Sequence, residues 1–134
     1  MQKAERETQE ETAMGDKCGR EDLSERMLRF CIAAVKLVDR YAKTPAGRHV
    51  SGQFLRASSS SGANYEEACG AESRNDFVHK LQVVLKELKE SRFWLRLTLG
   101  ASLAPEPEAR PLLDECDQLC KIIAKSVVTA KSRR

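Results

Sequence analysis

Four stretches of the chain repeat apolar side chains at three- and four-residue steps, the interval that gathers them on one side of a helix. The first predicts a helix over residues 22–42, with Leu23, Met27, Phe30, Ala34, Leu37, Val38 and Tyr41 in one stripe. Leu28, Ile32 and Val35 make a shorter stripe on another face. Asp22 with Glu25 has the spacing of a capping box, and Pro45 pushes Thr44 out of helical geometry. The clearest stretch predicts a helix over residues 74–99, opened by a second capping box, Ser73 with Asp76. Phe77, Leu81, Val84, Leu88, Leu95 and Leu99 share its main face. Val83, Phe93, Trp94 and Leu97 add apolar surface beyond the single face that a lone bundle needs.

Residues 100–109, with Pro105 and Pro107, read as a loop, and Pro111 suits the first turn of a last helix over residues 110–131. Leu112, Cys116, Leu119, Ile123, Val127 and Ala130 form its stripe. Its early acids and late lysines match the helix dipole. The remaining stretch is ambiguous. Val50, Phe54 and Leu55 begin an apolar face, but Ser58 to Ser61 followed by Gly62 read as a loop by local propensity. The alternative is one helix over residues 46–70, in which Ala57, Ser61, Ala68 and Cys69 form a seam of close approach. No strand-like alternation persists. The predicted fold class is all-α, an antiparallel up-down-up-down four-helix bundle over residues 21–134 behind a polar N-terminal extension, residues 1–20.

Charge changes this picture by location rather than amount. Residues 1–25 carry −4 and the remainder +7, so a moderately basic body permits an anionic partner. Glu5, Glu7, Glu10 and Glu11 occupy the place of a signal peptide's apolar core, and no run approaches the roughly 20 apolar residues that span a bilayer. Five cysteines without a framework suit a reducing compartment, so a cytoplasmic location is expected, with Cys116 and Cys120 lining the core as small hydrophobes.

Catalytic constellations are missing. His49 and His79 sit in helical stretches with no nucleophile elbow, and the serine run reads as packing. No glycines have phosphate-loop spacing, and no Glu-x-x-His pair or zinc framework is present. No enzyme, metal or cofactor is therefore expected. Two constellations remain. Asp76, Lys80, Glu87, Ser91 and Trp94 fall on one polar strip bordering the main face of the third helix. The strip reads either as a salt-bridge ladder within the bundle or as a polar network at a subunit contact, and Trp94 is expected to be largely buried. Lys89, Arg92 and Arg96, with Lys86 beside them, share another face at a spacing that can track phosphates, although Lys86 and Glu90 also have ion-pair spacing.

The stretch SGANYEEACGAESRNDFVHKLQVVLKELKESRFWLRL, from Ser61 to Leu97, resembles the four-helix-bundle proteins encoded in intervening sequences of bacterial 23S rRNA genes. QFLRASSSSGANYEEA is similar to that family's second-helix motif, and DFVHKLQVVLKELKESRFWL to its third. The likeness covers residues 22–131 and departs at Ser60, where the family carries a bulkier aliphatic residue. It implies a continuous second helix and a homopentamer. Asn64, Tyr65, Glu67, Asp76, Lys80, Lys86, Glu87 and Trp94 match its motif. With a further similarity to accessory proteins of diversity-generating retroelements, it implies a non-enzymatic oligomer binding RNA or DNA through Lys86, Lys89, Arg92 and Arg96. The alternative is a protein-interaction scaffold or accessory subunit.

Overall fold

Each apolar stripe becomes a buried seam in the computed structural model, which describes residues 21–133. The polar extension lies outside the described residues, as does the Asp22 side chain on which the first cap depends. Helix α1 spans Glu21–Val38, α2 Pro45–Cys69, α3 Arg74–Gly100 and α4 Glu106–Ser132, with no strand among the described residues. The α2–α3 and α3–α4 contacts are extensive, α1 rests on α2, and α1 touches α4 more lightly. Lys80 of α3 pairs with Glu67 of α2, and Glu87 with Arg56, so numbering falls along one helix as it rises along the other. Met27, Phe30, Phe54, Tyr65, Leu81, Leu88, Cys116, Leu119 and Ile123 fill the centre. No helix of the described residues is long and apolar enough to cross a membrane.

The ambiguous stretch is one unbroken helix, α2, because its serines satisfy themselves within it. Ser61 Oγ donates to the Ser58 carbonyl at 2.7 Å and Ser59 Oγ to the Leu55 carbonyl at 2.7 Å. Ser58 and Ser61 are fully buried. Their small side chains let α1 settle onto α2, where Cys31 Sγ donates to the Ser58 carbonyl at 3.2 Å. Local propensity for a turn is overridden by this packing, since a helix draws most of its stability from its buried face. The N-terminus of α2 is closed by Thr44, whose hydroxyl accepts from the Gly47 amide at 3.0 Å, followed by Pro45 in the first turn.

Two boundaries differ from the periodicity. Helix α1 stops at Val38 rather than Ala42, because tertiary bonds take over its last turn. Tyr41 turns into the core and its hydroxyl lies 2.6 Å from Thr98 Oγ1, while the Ala42 amide donates to the Leu103 carbonyl at 2.8 Å. Thr98 gives its own proton to the Trp94 carbonyl at 2.7 Å, so the Tyr41 O–H is the donor of the shared bond. Helix α4 begins at Glu106 rather than residue 110, which leaves Pro111 inside the helix and buries Ala109 in its opening turn. Pro107 occupies the first turn, where the missing N–H has no intrahelical partner to lose.

The α3–α4 connection closes as a Schellman motif. Ser102 takes the left-handed conformation at φ 54°, Leu103 N donates to the Thr98 carbonyl, and Ser102 N to the Leu99 carbonyl. Gly100, the residue expected to end α3, is instead its last helical residue.

Candidate nucleic-acid interface

Helix α3 shows three different faces, and its residues distribute among them by their helical angle. The core face holds Phe77, Leu81, Val84, Leu88 and Leu95, all buried. The edge toward α2 carries the polar strip, and its partners lie within the chain. Lys80 Nζ meets Glu67 Oε1 at 2.9 Å, and Arg56 pairs with both Glu87, at 3.4 Å, and Glu90. Ser91, fully buried, donates to the Glu87 carbonyl at 2.9 Å, and Trp94 Nε1 donates to Glu90 Oε2 at 3.0 Å. Asp76 receives the Ser73 cap at its backbone amide, as its spacing predicted, and adds negative charge beside Lys80. The strip is thus a ladder between α2 and α3.

Other motif residues act within α2 and the core. Tyr65 is fully buried. Asn64 Nδ2 donates to the Ser60 carbonyl at 2.9 Å and to Ser60 Oγ at 3.0 Å, so the small residue at this position gains a polar partner. Trp94 is partly buried, packed against the core from the α2–α3 edge. His49 packs against it edge-on at 6.0 Å between ring centroids, and Phe93 at 5.0 Å.

Arg56, the organising group of the ladder, escapes the sequence patterns used above, as does Glu90 in this role. One signal marks Arg56: it is the only charged side chain between Arg48 and Glu66. The Arg56 guanidinium, with help from the Trp94 N–H, holds the Glu90 carboxyl below the usual carboxylate range. A carboxylate whose folded pKa is depressed contributes stability that is complete above its unfolded value, about 4.3, and fades as pH falls through the folded value. Urea midpoints at pH 7 and pH 3 should therefore show wild type losing more stability in acid than Glu90→Gln. Equal acid losses in the two proteins would remove Glu90 from the ladder.

The outer face of α3 is the basic one. Lys86, Lys89 and Arg96 are exposed, and they surround Phe93, 56% exposed, and Leu97, 38% exposed. Arg92 does not stand fully with them. It leans toward α4, with Nη1 3.6 Å from Asp117 Oδ1, because its helical angle lies nearest the α4 seam. Lys86 acts on Glu90 through its nearby charge, while Glu90 bonds directly to Arg56 and Trp94. On α1, Leu28, Ile32 and Val35 remain 45–51% exposed as an apolar stripe. Among the described residues, no three metal-capable side chains converge.

Residues 22–125 match the family described as 23S rRNA-intervening sequence protein. The fold is also similar to the crystal structure of a protein of unknown function from the S23 ribosomal protein family of Bacteroides thetaiotaomicron. That likeness has a TM-score of 0.72 at 28% identity and covers 78% of this chain and 96% of the other. No curated protein matches this chain. The matched span runs from the start of α1 well into α4 and takes in the whole α2–α3 ladder, so the chain belongs to the 23S rRNA-intervening sequence protein family.

Proposed function

We propose that this protein is a non-enzymatic, cytoplasmic, oligomeric module that binds RNA or DNA through the outer face of α3. The observation that carries the reading is the cluster of Lys86, Lys89 and Arg96 exposed around Phe93. Cations at one-turn spacing neutralise phosphates and release their counterions, while an exposed aromatic ring offers a stacking surface to an unpaired base. Arg92 contributes from the rim, sharing its charge with Asp117. The resemblance to accessory proteins of diversity-generating retroelements belongs to the same proposal.

Self-association is part of it. The exposed stripe of Leu28, Ile32 and Val35 supports a closed homo-oligomer, a pentamer by family resemblance, since aligned apolar side chains favour burial. A ring would repeat the basic face and add weak contacts through multivalency. The second reading, a protein-interaction scaffold, is favoured by the same apolar stripe.

One set of measurements separates them. Wild type should bind single-stranded RNA with log affinity falling against log salt at about 0.7 per phosphate neutralised. Changing Lys86, Lys89 and Arg96 to Gln should flatten that slope and weaken binding to all sequences alike, because phosphate contacts carry no base information. Light scattering should give the same oligomer mass for both proteins. A wild type that fails to bind RNA or DNA at low salt leaves the scaffold reading, and a monomer mass at micromolar concentration ends the assembly proposal.

A further inference from the structure

We propose that the cleft between the start of α3 and the end of α4 is a phosphate-monoester site that takes one nucleotide, free or at the end of a strand. The inference rests on the reading of α3 as a nucleic-acid surface and extends it to a built pocket. The cleft encloses about 470 Å³, within the range of small-ligand sites. Arg74 enters from α3, and Lys131 and Arg133 from the α4 side, so fixed positive charges converge on one space. Among the described residues no carboxylate lines it, and their ion pairs lie elsewhere on the bundle. A phosphate monoester, which carries up to two negative charges near neutral pH, supplies the missing counter-charge.

The geometry favours phosphate over a diffuse anion cloud. Arg74 is anchored by donating from Nη1 to the Ala130 carbonyl at 3.4 Å, which fixes the guanidinium while its other N–H groups remain available as donors. Val78 and Ala130 give the cleft an apolar wall, and Asn75 and Gln82 bring amides that both donate and accept. Amides of this kind donate to phosphate oxygens and can also pair with the edge of a base, which donates as well as accepts. Asn75, Gln82, Lys86, Lys89 and Phe93 follow one another at three-, four- and seven-residue steps, which places them on a single face of α3. The cleft therefore opens onto the same outer face as the exposed basic residues, and a strand ending in it would run along α3.

The test uses the full chain and short single-stranded RNA of one sequence, unphosphorylated or carrying a phosphate at its 5′ or 3′ end. At least one terminal phosphate should tighten binding about tenfold, the equivalent of one charge-assisted hydrogen bond. Lys131→Gln with Arg133→Gln should erase that preference while leaving the unphosphorylated strand and the melting temperature little changed, since both side chains are exposed. Equal binding of all three strands by wild type, or a preference that survives the double variant, overturns the proposal. Titrating adenosine monophosphate alone separates this failure from failure of the α3 reading. Shifts in the Asn75 and Gln82 side-chain amide resonances that vanish in the double variant support the cleft even where no strand binds. Strand binding without any such shift leaves the α3 surface standing and removes the cleft.

Discussion

Replacing Gly47 with alanine is expected to destabilise the protein by about 3 kcal/mol, the upper range for forcing atoms into a filled space. A Cβ at Gly47 would sit 1.9 Å from the Ala42 carbonyl oxygen, and the obstacle is backbone rather than a yielding side chain. That oxygen is held in place from the other side, because the Ala42 amide donates to the Leu103 carbonyl at 2.8 Å. Relieving the clash would move the α1–α2 connection and disturb its junction with the α3–α4 connection. The sign is the opposite of the usual one, since alanine is normally the better helix residue. At Gly52, in the same helix, an added methyl would meet nothing within 4 Å, so Gly52→Ala should stabilise by about 0.5–1 kcal/mol. Urea unfolding of the two variants makes the comparison. If Gly47→Ala also stabilises, the Ala42 carbonyl does not fix the close approach of this connection.

Replacing Ser61 with leucine should cost a similar amount, about 3 kcal/mol, by prising α2 away from its neighbours. Ser61 is fully buried, and its hydroxyl bonds only to the Ser58 carbonyl one turn back. The side chain's value there is its size. Ser61→Ala isolates that point: it removes the hydroxyl but keeps the volume small, and alanine's helix preference offsets part of the lost bond, so the change should stay within about 1 kcal/mol. Thermal melts of the pair decide the matter. A leucine variant as stable as wild type would mean that α2 has room to spare at this seam.

The serine run shows where reading the residues reaches its limit. Ser58 to Gly62 carry a local preference for a turn, and resemblance rather than propensity pointed to a continuous helix. What settles α2 as one helix is the arrival of α1 on its small side chains, where Cys31 meets Ser58, a contact made between residues far apart in sequence. The basic face has the same character. The shared face of Lys89, Arg92 and Arg96 was legible from helical spacing, but Arg92 is drawn to Asp117 because α4 happens to lie on that side. Arg56 illustrates the converse case. A lone cation in a polar helix has no visible partner until α3 brings Glu87 and Glu90 beside it.

Taken alone, the sequence determined the four helices, the faces they bury, the Ser73–Asp76 cap and the surplus apolar residues at Leu28, Ile32, Val35 and Phe93. All of these follow from periodicity and short-range bonding, which depend on near neighbours along the chain. Only the tertiary structure decided where α1 ends and α4 begins, which carboxylate each cation meets, that Trp94 lies at an edge, and that Arg74, Lys131 and Arg133 surround one cleft. Those outcomes depend on which helices become neighbours and at what height, and packing sets that through contacts between residues tens of positions apart.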